Sequence, residues 1–233
     1  MKVLIFGASG MVGQGVLHEC LAAPDVCQIM AVGRTPLEQT YPKLQQVMLA
    51  DLTRLDAVET ELQGFDACFF CLGISSSGMS EEAYRQLTYE LTLNVARVLA
   101  RLNPGMTFVY VSGAGTDSSE RGRSMWARVK GKTENDLQKL PFQGVYLFRP
   151  GVIQPLHGIQ SKTPAYRRFY AIANPLLSAI RRVFPGAIVT TDDIGQAMLN
   201  AVRRNGGREI VEAKDIARLS RAGQVGVVSE NGK

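Results

Sequence analysis

The first thirteen residues read MKVLIFGASGMVG, a short apolar run that enters three glycines, Gly7, Gly10 and Gly13. Lys2–Phe6 is too short and too β-branched for a helix, and its unbroken apolar character predicts a strand buried on both faces. A glycine at the end of such a strand lets the chain turn sharply. Gly10 removes the side chain that would block a close backbone approach, and Gly13 lets a following helix lie tightly on the sheet. The helix expected over roughly Val12–Ala22 aims its unpaired N–H groups and positive dipole end at whatever lies over the loop. Strand, glycine turn and helix N-terminus together form an anion cradle of the kind that holds a pyrophosphate.

The rest of the chain repeats this alternation. Strands are predicted at Gln28–Gly33, Val47–Ala50, Ala67–Gly73, Phe108–Val111 and Gly144–Phe148. A short helix is predicted over 55–63, with Leu55, Val58 and Leu62 on one face. A long one runs from an N-cap at Ser80 to about Leu102, with Glu81 and Glu82 in its first turn and Asn103-Pro104-Gly105 as its stop. Another spans Ser124–Leu140. Strands alternating with helices at this spacing predict an α/β fold, a doubly wound parallel sheet with helices on both faces. Beyond Gly151 the rhythm changes: a proline-punctuated apolar helical region (Thr163–Phe184), a helix Ile194–Arg204 capped by Thr191-Asp192-Asp193, a last short strand Arg208–Val211, and a loose tail from Ser220. The expected division is a Rossmann core over 1–155 and a small C-terminal lid or substrate region over 156–233.

Composition narrows the function classes. Hydrophobic content of 45% and charged content of 20% describe an ordinary globular protein. No apolar run reaches membrane-span length, and the first strand ends in glycines, so neither a span nor a signal peptide is expected. Four cysteines, Cys20, Cys27, Cys68 and Cys71, fit a reduced, cytoplasmic protein. Cys68 and Cys71 form a CxxC, but in a buried strand their thiols should point to opposite faces, which favours a core role over redox or metal chemistry. The two histidines, His18 and His157, lack ligand-like spacing, and no metal is expected. The net charge of +5 is uneven: 14 basic and 15 acidic side chains over 1–150, 12 and 6 over 151–233. No acid stands between Asp136 and Asp192. A polyanion surface, a lid over an anionic ligand and a solvated helix face are the available readings. The arginines at 167/168 and 181/182 lack interleaved aromatics, which argues against nucleic acid.

In a dinucleotide fold the end of the second strand meets the adenosine ribose. An acid there favours a free 2′-hydroxyl, whereas an arginine can pair with a 2′-phosphate. Here the residues are Gly33-Arg34-Thr35, with no acid before Glu38. A guanidinium on a phosphate is a charge-assisted contact, so NADP is favoured over NAD. Asp51 and Leu52 could flank the adenine, and Leu72-Gly73 would let the backbone pass close to the cofactor.

With these residues in view the chain resembles the short-chain dehydrogenase/reductases, in their extended or atypical branch. Gly7-Ala8-Ser9-Gly10-Met11-Val12-Gly13 resembles that branch's GxxGxxG. Val111-Ser112-Gly113-Ala114-Gly115 resembles its serine-bearing strand end, and Arg149-Pro150-Gly151-Val152 its RPxxV turn. The run Val129-Lys130-Gly131-Lys132-Thr133-Glu134 resembles the Tat-interacting-protein-like oxidoreductases and the related NmrA-like group. The resemblance implies that Ser9, Gly10, Met11 and Val12 contact a pyrophosphate and that Lys130 holds the nicotinamide ribose. It also implies a catalytic tyrosine four residues before that lysine, a serine at Ser112 that steadies the substrate oxygen, and an asparagine on the long helix. Ser112 and Lys130 match. Trp126 stands where the tyrosine should be, and Thr88 where the asparagine should be, with Asn94 six residues on.

An indole N–H donates a hydrogen bond but cannot cycle a proton near neutral pH. Three functions stay open. The first is an NADP-dependent oxidoreductase on a small carbonyl or alcohol, with water, Ser112, Tyr84, Tyr89 or Tyr166 as proton source. The second is a non-catalytic NADP-binding redox sensor with a protein partner. The third is a nucleotide-sugar-type isomerase, for which no specific sign is present. The helices 80–102 and 124–140 would carry a dimer face, and monomer and homodimer both remain open.

Overall fold

The computed structural model describes residues 1–159 and 188–222. The region Thr163–Phe184, Tyr166, about half of the expected C-terminal lid and the end of the tail lie outside the described residues. Nine strands are described: β1 (Lys2–Phe6), β2 (Gln28–Gly33), β3 (Leu44–Met48), β4 (Ala67–Phe70), β5 (Thr107–Val111), β6 (Gly144–Arg149), β7 (Val152–Gln154), β8 (Ile188–Thr190) and β9 (Gly207–Glu212). The helices are α1 (Met11–Ala22), α2 (Glu81–Arg85), α3 (Leu91–Leu102), α4 (Met125–Leu137), α5 (Thr191–Arg203) and α6 (Ala213–Arg221).

Seven strands form one parallel sheet in the order β3-β2-β1-β4-β5-β6-β9, and β7 and β8 pair separately. The order reverses between β1 and β4, where Phe6 lies beside Phe70. In doubly wound sheets, ligands bind outside the carboxyl ends of the strands at this switch point. The fold is the expected Rossmann-like α/β sheet.

Two apolar layers hold it together. Alternate residues of the central strands face one side or the other, because successive Cβ atoms point to opposite faces. Val3, Ile5, Ile29, Phe69, Val109 and Phe148 meet Val16 and Cys20 of α1 and Ile194 and Met198 of α5. Leu4, Phe6, Phe70, Phe108 and Leu147 meet Leu93, Ala96 and Leu99 of α3 and Leu137 of α4. Cys68 falls in the second layer and Cys71 against the first, as the strand geometry requires. Burial pushes the Cys71 thiol up to about 12, which makes it inert.

Several elements differ from their sequence reading. The third strand begins at Leu44, not Val47. It is an edge strand, so one covered face suffices and polar Gln45 and Gln46 belong to it. Residues 55–63 form only a 3-10 turn at Leu55–Val58. The long helix is capped by Ser80, whose Oγ accepts from the Ala83 N–H at 3.2 Å, but it is interrupted by a π turn at Gln86–Glu90. The cap of α5 is Thr190, one residue before the expected cluster. Its Oγ accepts the Asp193 N–H at 3.0 Å while the Asp193 carboxylate accepts the Thr190 N–H at 2.9 Å. The strand expected at Arg208–Val211 is the seventh of the main sheet, paired in parallel with β6. The pair β7–β8 is too short to leave a periodic signal. Among the described residues no helix is long and apolar enough to cross a membrane.

Helix α1 sits on the sheet by glycine contact. A Cβ at Gly13 would lie 2.1 Å from the Gly7 carbonyl oxygen, and one at Gly15 would lie 2.5 Å from Thr191 Cβ. Both neighbours are on rigid elements and cannot yield. Gly13→Ala is therefore expected to lower stability in urea by about 1–3 kcal/mol. Gly73→Ala, where an added Cβ meets nothing within 4 Å, should stay within about 0.5 kcal/mol of the native chain. Equal midpoints for the two variants would contradict the contact.

Candidate functional site

The glycine loop has the geometry of an anion cradle. Gly7 adopts φ +83, and a Cβ there would come within 2.9 Å of the Cys71 and Leu72 backbone, so only glycine fits. The Gly10 N–H closes the turn on the Gly7 carbonyl at 2.9 Å. Gly10 is the N-cap of α1 and brings no side chain to its first turn, which also holds no acid. The first-turn N–H groups of Met11, Val12 and Gly13, which have no intrahelical acceptor, stay available to an anion. Gln14 Nε2 donates to the Ser9 carbonyl at 3.2 Å and fixes the loop.

Beside this loop, at the carboxyl ends of β1 and β2, lies a cavity of about 90 Å³. Gly7, Ser9, Gly33, Arg34, Leu52 and Leu72 line it together, although the sequence spreads them over four strand ends. Arg34 is exposed at its rim. Asp51 is not among the lining residues. Its carboxylate accepts the Thr53 hydroxyl at 2.7 Å and the Thr53 N–H at 2.9 Å, and these bonds hold it below the usual carboxylate range. Gly73 is exposed and open. These residues fit a dinucleotide: a positive-φ glycine turn, an uncapped helix start, and a cationic rim beside a small cleft.

The second half of the site lies at the ends of β5 and β6. Lys130, on α4, donates its Nζ to the Ser112 carbonyl. Burial lowers its amine to about 8, against an opposing pull from the Glu134 carboxylate. The Ser112 hydroxyl is itself buried and donates to Glu134 Oε1 at 2.5 Å. Glu134 is fully buried and paired with Arg149, whose Nε reaches its two oxygens at 3.1 and 3.2 Å. Arg149 also meets Glu212 at 3.3 Å and Ser118 Oγ at 2.5 Å. Glu134 and Arg149 were visible in the sequence only as members of motifs. The available signal was an acid one helical turn after Lys130, on the same face.

Trp126 stands one turn before Lys130, and an added Cβ on Gly115 would lie 3.6 Å from its ring. The indole thus covers the loop that follows Ser112. Thr88 is buried within the π turn, and its carbonyl accepts the Thr92 hydroxyl at 2.5 Å. Asn94 donates to the Thr53 carbonyl at 2.8 Å. The Tyr84 phenol is raised by burial against a hydrogen bond with Thr88. Tyr89 donates to Asp136 Oδ2 at 2.8 Å, and burial with that bond raises it too. Both are poorer acids than a free phenol.

Residues 7–139 match the family described as NAD(P)H-binding, more than half of the chain. The chain belongs to that family. The chain is also similar to rat protein HTATIP2, 30% identical over 155 residues, and to the mitochondrial protein fmp52 of Emericella nidulans, 28% identical over 208. The chain covers 62% of the rat protein, with 65% of its own length aligned, and 86% of the fungal one, with 86% of its own. Among solved structures, the NAD+ complex of Bordetella bronchiseptica WbmH superposes at a TM-score of 0.64, 17% identity, over 91% of this chain and 74% of that one. A short chain dehydrogenase family protein of Francisella tularensis gives 0.62 at 17%, over 93% and 98%. These superpositions and the sheet order show that the chain shares the Rossmann-like fold of those solved structures.

The lysine offers a direct check. Its folded pKa lies below the ordinary value, so below about pH 8 the folded chain carries the full cost of a buried ammonium. From about pH 8 to 10.5 the folded state releases this proton before the unfolded chain does, and stability rises. Relative to Lys130→Met, the native chain should gain stability between pH 8 and 10 in paired denaturation curves. A constant difference would show an ordinary amine.

Proposed function

We propose that this protein is an NADP(H)-dependent oxidoreductase acting on a small carbonyl or alcohol, with Lys130 as the proton donor in place of the missing phenol. The observation that carries this reading is the placement of Lys130 at the end of β5, with an amine near 8. A group with a pKa near the working pH is the efficient general acid, and the raised phenols of Tyr84 and Tyr89 are not. A bound reduced nicotinamide would supply the hydride to the carbonyl carbon. The Lys130 ammonium would give its proton to the alkoxide oxygen, directly or through one water, and regain it from solvent. Ser112, with its single proton donated to Glu134, serves to hold the β5 end and can only accept. Arg34, at the rim of the cavity, supports the choice of NADP over NAD.

A second reading has an observation of its own. Trp126 closes over the post-Ser112 loop and replaces the group that cycles a proton, which suits a chain that binds NADP(H) as a redox sensor without turnover. Partner and oligomeric state belong to that reading.

Two experiments separate these. Arg34→Glu should shift preference from NADPH towards NADH by at least tenfold in Kd, and unchanged selectivity removes the 2′-phosphate assignment. In NADPH oxidation against a carbonyl panel, kcat should fall as pH rises through about 8, because only the ammonium donates. Lys130→Met should lose about 10²–10⁴-fold in kcat. If only Trp126→Tyr turns over, the sensor reading stands and the lysine-acid reading fails.

A further inference from the structure

We propose that His18, His157 and Asp192 form a site for a divalent first-row transition ion of the zinc type. His18 lies on the exposed face of α1, His157 in the turn that follows β7, and Asp192 in the first turn of α5. Their spacing in the sequence signals nothing, yet the fold brings a ligand atom from each within 4.8 Å of the others. His157 Nε2 stands 2.8 Å from Asp192 Oδ2, and the two imidazole rings stack with centroids 4.2 Å apart. A tetrahedral ion with bonds of about 2.0–2.1 Å asks for ligand atoms about 3.3 Å apart. The two histidine side chains are 48% and 47% exposed, so small rotations close that difference.

Two further observations point to a ligand. His18 Nδ1 is 3.2 Å from Glu19 Oε1, and Glu19 is buried and bonded by Gln196 of α5. A ligating histidine commonly donates its second ring nitrogen to such a carboxylate, which fixes the tautomer and leaves Nε2 for the metal. His157 holds a left-handed φ of +54, unusual for a side-chain-bearing residue, and this backbone turn sets its ring over His18. Two imidazoles and one carboxylate match a borderline ion and not calcium or magnesium, which take oxygen ligands. Three ligands leave a fourth position. His18 and His157 also line a cavity of about 470 Å³ that reaches Ser9 of the glycine loop, so the open position would face a space continuous with that loop. The ion would tie the helix that starts at the cradle to the two chain segments on either side of 160–187. This site stands independently of the oxidoreductase reading.

The test uses the full chain, stripped with chelator and titrated with Co²⁺ by visible absorption, with Zn²⁺ as competitor. One Co²⁺ per chain is expected, with the intense ligand-field bands of a four- or five-coordinate ion, displaced by Zn²⁺. His18→Ala, His157→Ala and Asp192→Asn should each weaken binding at least tenfold while keeping the metal-free denaturation midpoint. Asp192→Asn spares the Thr190–Asp193 capping box. Zn²⁺ should raise the thermal midpoint of the native chain and not of the variants. Octahedral bands alone, or unchanged affinity in His157→Ala or Asp192→Asn, would overturn the site and leave an ion on a single surface histidine.

Discussion

Glu134 is a carboxylate with no exposed surface, and the far end of the sheet is arranged around it. A buried charge survives only when its partners are close and its lone pairs are used. Arg149 supplies a guanidinium from the end of β6, and Ser112 a hydroxyl from the end of β5. Arg149 in turn reaches Glu212 at the end of β9 and Ser118 in the loop ahead of α4. One ion pair therefore ties three strand ends to one helix. Removing a single partner of such a pair costs about 3–5 kcal/mol, because the other is left buried and unpaired. The pair adds position more than net stability: it fixes where Lys130, one turn away on α4, must stand.

The other end of the site is set by absence of volume. Helix α1 approaches β1 so closely that no Cβ fits at Gly13, and the turn between them forbids one at Gly7. The same closeness continues at Gly15 and at Gly195, whose added Cβ would meet Glu19 at 2.6 Å. Thus α5 is seated against α1 by glycine on both helices. The cradle and the C-terminal helix layer form a single packed unit, and Glu19 and Gln196 bridge the seam. A shift in α5 would be felt at the loop that begins α1.

How legible this was in the sequence depended on how local each cause is. The glycine loop, the Ser80 cap and the opposed thiols of Cys68 and Cys71 follow from backbone rules within a few residues, and the sequence carries them openly. The third strand was displaced by three residues because apolar continuity marks buried strands, whereas β3 is an edge strand that keeps Gln45 and Gln46. The α5 cap was displaced by one because Thr190 and Thr191 are equivalent until the Asp193 partner is chosen. The gathering of Gly7, Ser9, Arg34, Leu52 and Leu72 around one cavity was expected from fold logic, whereas the turning of Asp51 towards Thr53 was not. The pairing of Glu134 with Arg149 and the meeting of His18 with His157 are long-range, and no periodicity records them.

The chemistry left to Lys130 follows from the same burial that organises the strand ends. An ammonium beside a bare carboxylate would be held charged far above neutrality. Glu134 is not bare: its oxygens already accept Arg149 and Ser112, and its pull on Lys130 only partly opposes the cost of desolvation. The amine therefore comes to rest near 8, where it can both give and regain a proton in ordinary solution. In a site with a phenol at position 126 the lysine would act through that phenol. With Trp126 there, the indole narrows the loop and transfers nothing, and among the described residues at these strand ends it is the Lys130 amine that comes near 8. The substitution that removes the usual acid leaves in place the burial that can make another.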